Sequence, residues 1–148
     1  MTQRHLAQFN IAVPRWPLDD PRMADFTDNI KRINGLAERS PGYLWRLEDE
    51  TGPDAPHFPD HPDMTLTLSV WRDLESLRHF TWQTLHKRFR QRRAEWFLPW
   101  DGPYLALWWV AEGHRPNGAE ALAMLDRLAR EGPSETVFGT EALVREAA

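Results

Sequence analysis

"HLAQFNIAVP", residues 5–14, alternates along its whole length. His5, Ala7, Phe9, Ile11 and Val13 share one side, and Leu6, Gln8, Asn10 and Ala12 share the other. A period of two is the mark of a strand. "MTLTLSVW", residues 64–71, repeats the pattern, with Leu66, Leu68 and Val70 opposite Thr65, Thr67, Ser69 and Trp71. Each segment has one apolar and one mixed face. Paired with the mixed faces aligned, they gather Gln8, Asn10, Thr67, Ser69 and Trp71 in the middle of a sheet. Polar groups there must be satisfied by each other, by water or by a ligand.

Working outward, "WPLDDPRMADF" opens a helix, with Asp20 as N-cap and Pro21 at its first position. Met23, Phe26, Ile30, Ile33 and Ala37 continue it at helical spacing until "SPG" ends it. "GYLWRLEDE" reads as a second strand. "TGPDAPHFPDHPD" is rich in proline and aspartate and reads as an exposed loop. After the third strand a helix opens near Asp73 and runs, with a possible break, to Trp96. "YLALWWVAEG" is a fourth strand, apolar on both sides and so expected to be covered on both. A further helix lies within "RPNGAEALAMLDRLAREGPS". Asn117 and Glu120 stand at capping-box spacing, and Gly132 fits a C-cap. "TVFGT" reads as a last extended piece and "EALVREAA" as a loosely held tail. One domain over residues 1–140 and a tail over 141–148 result. The order β-α-β-β-α-β predicts an α+β, ferredoxin-like antiparallel sheet with the first and third strands central and an added C-terminal helix. Helices cover one face in that arrangement, and a second copy is the simplest cover for the other.

The chain has 148 residues, eight tryptophans and no cysteine. Disulfides and thiolate chemistry are excluded. A formal net charge of −4 argues against polyanion binding, and no apolar run approaches the length of a membrane span. The expectation is a cytoplasmic protein with no nucleic-acid or membrane partner. "TWQTLHKRFRQRRAEWFLPW", residues 81–100, crowds basic side chains among aromatics. On a helical wheel Trp82, His86, Phe89, Arg93 and Trp96 form one stripe. Lys87, Arg88, Arg90 and Arg92 mostly fall elsewhere, as a solvated flank. The stripe reads in two ways. Arg93 pairs with an acid such as Glu48 or Glu112 while His86 bonds a carbonyl, or both face a cavity, His86 as acid, base or ligand and Arg93 as an anion anchor.

"HKRFRQRRAEWF", followed by "LALWWVAEGHRP" and an "EAL…L…GPS…VFG" ending, resembles the bacterial family catalogued as domain of unknown function 3291. The resemblance implies a dimeric α+β barrel, in which two ferredoxin-like subunits join their sheets as a homodimer. The wider superfamily contains cofactor-independent quinol monooxygenases, haem-degrading monooxygenases, lactone isomerases and polyketide cyclases. Its haem-degrading members place an asparagine on the first strand, a tryptophan on the third and a histidine on the next helix. Asn10, Trp71 and either His79 or His86 occupy similar elements.

These readings converge on a small enzyme for an aromatic or polycyclic metabolite, monooxygenase-like or isomerase/cyclase-like, using no cofactor. His86 would move a proton, Arg93 and Asn10 would hold the developing oxyanion, and Trp71, Trp82, Phe89, Trp96 and Trp108 would enclose the substrate. Haem binding or breakdown is the alternative, and a non-catalytic ligand-binding or dimeric structural protein a third. His57 and His61 with Asp54, Asp60 and Asp63 have metal-like spacing, but in a loop that cannot be helical, so no metal is expected. His114 reads as a turn histidine.

Overall fold

The computed structural model describes residues 4–49, 52–84 and 92–143, with the side chains of 82–84 excepted. Four strands, β1 (Arg4–Ala12), β2 (Tyr43–Arg46), β3 (Thr65–Trp71) and β4 (Leu105–Ala111), form one antiparallel sheet in the order β2-β3-β1-β4. The first and third strands are central, as the alternation predicts. Between the strands lie α1 (Ala24–Glu38), α2 (Leu74–Thr84) and α3 (Arg93–Trp96), and α4 (Gly118–Glu131) follows β4. The arrangement is α+β and compatible with a ferredoxin-like fold. No helix of the described residues is long and apolar enough to cross a membrane.

Register follows from burial. Gln8 faces Ser69 and Asn10 faces Thr67 across the central pair, so the two mixed faces do align. Ala7, Phe9 and Ile11 join Leu66, Leu68, Val70, Ala106 and Trp108 on the other face. A one-residue slip would drive Gln8 and Ser69 into that apolar layer, and each large side chain so displaced loses roughly 1.5–3 kcal/mol of burial.

The two faces have different covers. Ala37 of α1 with Leu77 and Phe80 of α2 packs on the mixed face, around Leu6, Trp71 and Leu107. Ala121, Leu125 and Leu128 of α4 pack on the apolar face. The face for which a second copy was the simplest cover is therefore covered within the chain. The proline-rich stretch contributes too, against the expectation of a wholly exposed loop. Ala55 and Pro56 are buried, and Phe58 stacks on Phe9 with centroids 6.4 Å apart. Apolar sheet beside α4 leaves room for them, and covering it outweighs the loop's polar composition.

Local signals operate as read, with one refinement. Asp20 caps a 3₁₀ turn, Pro21–Met23, which leads into α1. Asp73 caps α2, its carboxylate accepting the Ser76 N–H at 2.8 Å. The last extended piece pairs with the outer edge of β4, where Leu107 and Phe138 exchange N–H···O bonds of 2.7 and 2.9 Å. Gly42 has φ of +87° and sits against the buried Ser76, so only glycine suits this turn before β2.

Both capping carboxylates titrate low. The Arg22 guanidinium holds Asp20 at about 2 against an ordinary 3.8, and the Ser76 hydroxyl and N–H hold Asp73 below its usual range. A depressed carboxyl contributes stability that is complete above its unfolded pKa and lost as pH falls through its folded one. Thermal melts by circular dichroism should therefore be flat above about pH 5 for these groups and fall from about pH 4 towards 2. Asp73→Ala should cost about 1 kcal/mol at neutral pH and flatten part of that acid limb.

Candidate functional site

The mixed sheet face carries a continuous hydrogen-bond chain. The Trp71 Nε1–H donates to Ser69 Oγ at 3.1 Å, and the Ser69 hydroxyl donates to Gln8 Oε1 at 2.7 Å. The Gln8 amide donates to Thr67 Oγ1 at 3.1 Å. Gln8 and Ser69 are buried, and the chain satisfies them with each other. Its far end is open. Thr67 is exposed although it lies mid-strand on the helix-facing side, and half-buried Asn10 opposite it makes no side-chain hydrogen bond among the described residues. Alternation places these groups on one face, and the short β2, ending at Arg46, leaves Thr67 uncovered on its flank.

Arg93 stands where the β1–β4 pairing ends. Its Nη2 donates to the Ile11 carbonyl at 3.3 Å, one residue beyond Asn10, and its guanidinium lies 4.2 Å from the centroid of the Tyr104 ring and 5.5 Å from that of Phe97. The expected pairing with Glu48 or Glu112 is absent: no carboxylate bonds Arg93 among the described residues. Burial pushes its pKa below the ordinary value, countered in part by Tyr104. It remains a cation at neutral pH. Its neighbour Arg92 bridges Asp25 at 2.9 Å and Glu95 at 3.1 Å, which occupies those two acids.

The structure separates tryptophans that were expected to enclose one substrate. Trp71 is buried between Phe80 (centroids 5.2 Å apart) and Tyr43 (5.7 Å) under α1 and α2. Trp96 is buried against Phe26 at 5.7 Å in a third cluster with Met23 and Phe97. Trp108 lies on the opposite face under α4. These three rings are core members of three clusters and do not enclose one hollow. A wheel assigns a helix side but cannot say which sheet face a strand's tryptophan will share with it. The Trp82 side chain, His86 and Phe89 lie outside the described residues. His79 is exposed on α2.

The remaining histidines also find places. His57 Nε2 is 3.1 Å from the Gly52 carbonyl, and the His61 ring meets Trp100 edge-on at 5.5 Å. No group of three or more His, Asp or Glu among the described residues converges as a metal site. His114 is more than a turn residue. Its Nε2 lies 2.6 Å from Glu120 Oε1, while the buried Trp108 indole donates to Glu120 Oε2 at 2.8 Å. Asn117 caps α4 through the Glu120 N–H, but the Glu120 carboxylate turns away from the reciprocal capping-box bond to serve these two partners. Sequence spacing signalled the cap; nothing in it signalled the indole. Tyr104, under Arg93, was equally missed.

A cleft of about 240 Å³ opens on the α4 side, lined by Phe58, Trp100, Pro103, Leu122 and Leu125 with Asp101 and Asp126. None of the residues singled out from sequence as site members lines it, and Asp126 is tied to Arg130 at 2.8 Å. The polar side chains of Asn10, Thr67 and Arg93 are the better candidates for chemistry.

Fold and site together define a small α+β protein with one antiparallel sheet, helices on both faces, a hydrogen-bond chain on the mixed face and a half-buried arginine where the β1–β4 pairing ends. Over residues 5–147 the chain matches the family described as a domain of unknown function, DUF3291, and it belongs to that family. No curated protein and no solved structure matches it.

Proposed function

We propose that the opening at Asn10, Thr67 and Arg93 is the binding site of a small-molecule enzyme acting on an aromatic or polycyclic metabolite, as a cofactor-independent monooxygenase or an isomerase/cyclase. The observation that carries this is the end of the hydrogen-bond chain: an exposed threonine bonded only to Gln8, and a half-buried asparagine with no side-chain hydrogen bond among the described residues, on a sheet face that helices otherwise pack. Buried polar groups normally complete their bonds within the fold, and those left over beside an apolar surround are what orient ligands.

In this reading His86 takes a proton from a phenol or an activated carbon, since imidazole titrates near working pH. Negative charge then develops on a ligand oxygen, where the Asn10 amide and the Arg93 guanidinium stabilise it. Returning the proton to a different carbon completes an isomerisation or cyclisation. Alternatively the anion adds dioxygen at carbon to give a hydroperoxide, which loses water to leave a carbonyl, so that one oxygen stays in the product and the substrate supplies the electrons. One chain carries these groups, and the reading requires no second copy because α4 covers the apolar sheet face.

The test is turnover and binding of dihydroxynaphthalenes by the full chain, followed with an oxygen electrode, by product chromatography and by calorimetry. His86→Ala should lower turnover by about 10²- to 10⁴-fold while binding persists. Absence of binding by every flat aromatic tried, or a Soret band in the purified protein, would overturn the reading, the latter in favour of haem.

A further inference from the structure

Arg93 offers five N–H donors and, among the described residues, uses one, on the Ile11 carbonyl. A half-buried guanidinium ordinarily recovers its lost hydration through a carboxylate. Here the other partners are ring faces, Tyr104 and Phe97. Its sequence neighbours supply no acid either. Residues 82–91, "WQTLHKRFRQ", contain none, and the nearest acid along the chain, Glu95, is engaged by Arg92. Arg15 adds another cation to the same corner, its Nε held by the Ala94 carbonyl at 2.8 Å. The corner is cationic, ring-lined and short of an anion.

We infer that Arg93 is the anchor for a carboxylate already present on the ligand, so that the substrate class is an aromatic or polycyclic carboxylic acid. This rests on the reading of the Asn10–Thr67 opening as a small-molecule site and deepens it. A planar guanidinium matches a planar carboxylate with two parallel N–H···O bonds. Tyr104 fixes the plane by stacking, and the Ile11 carbonyl fixes the position, so the remaining donors are preorganised. The aromatic body of such an acid would extend from Arg93 towards Asn10, whose amide, together with an Arg93 donor left free by the carboxylate, meets the charge that develops during reaction.

The experiment compares matched pairs: benzoate, 1- and 2-naphthoate and anthracene-9-carboxylate, each against its neutral carboxamide, by calorimetry on the full chain at pH 7. The best acid should bind about 10- to 100-fold more tightly than its amide. Arg93→Met should bring that ratio close to one by weakening the acid far more than the amide, whereas mere structural loosening would weaken both alike. Because Arg93→Met also removes the donor to Ile11 and may fail to fold, Arg93→Lys serves as the second variant. It keeps the charge without the fork and should lower the ratio but not abolish it. Amides binding as well as acids to the wild type would overturn the carboxylate anchor and leave the aromatic site standing. Binding of neither set would overturn both, and an unchanged ratio in a folded Arg93 variant would overturn the assignment to this residue.

Discussion

Trp108→Ala is expected to lower the folding free energy by about 3–5 kcal/mol. The ring is 1% exposed, on the apolar sheet face beneath α4, in the cluster with Phe9, Leu125 and Val137. Truncation removes its transfer energy and leaves a cavity between the sheet and α4. It also strips a donor from Glu120, which then holds only His114 and solvent. Domains of this size have about 5–15 kcal/mol in total, so the variant should sit near the edge of folding. Urea denaturation followed by fluorescence measures the loss. Trp108→Phe separates the two contributions, keeping most of the apolar volume and losing the N–H. It should cost about 1–3 kcal/mol, and Glu120→Gln combined with it should cost less than the sum of the two singles. Full additivity would mean that the indole–carboxylate bond contributes nothing to stability.

Gly118→Ala is expected to destabilise the protein by about 1–3 kcal/mol or more, the cost of overpacking. Helix propensity alone points the other way, since alanine exceeds glycine by up to about 1 kcal/mol. Close approach decides the sign. A Cβ at Gly118 would lie 2.3 Å from both the Ala55 carbonyl carbon and the Pro56 nitrogen, backbone atoms that cannot rotate aside. The Gly118 N–H donates to the Asp54 carbonyl at 2.6 Å, fastening the start of α4 to the proline-rich segment. The substitution should therefore act beyond the helix, detaching residues 52–64 from the sheet. Hydrogen exchange and limited proteolysis should show the change concentrated in that segment. A stabilised Gly118→Ala protein would show that propensity, not contact, governs this position.

Local patterns carried far. Alternation in residues 5–14 and 64–71 identified the central strands and the alignment of their mixed faces, which the Gln8–Ser69 and Asn10–Thr67 pairs reproduce. Asp20, Asn117 and Gly132 marked element ends correctly because caps depend on residues within one turn of each other. The double-sided apolar pattern of β4 predicted cover on both faces, and α4 on one side and the α1–α2 layer on the other supply it.

The candidate site was legible only in part. Asn10, Thr67 and Arg93 were singled out by type and spacing, but the partners of each were not. The half-buried Arg93 was expected to meet an acid or a cavity, and it meets a strand carbonyl from the far end of the chain and the ring of Tyr104. Trp71, Trp96 and Trp108 looked alike as large rings near basic residues, yet they went to three separate clusters. Glu120 looked like half of a capping box until a buried indole claimed its carboxylate.

By itself the sequence determined the elements, their order, their caps and the two characters of each central strand, because periodicity and capping act between residues a few positions apart. Only the tertiary structure decided which sheet face α4 and the proline-rich segment would cover, which atoms Arg93 would hold, and where the tryptophans would part company. Those outcomes depend on which surfaces compete for the same apolar area once the chain has doubled back, and that competition leaves no mark on the spacing of residues.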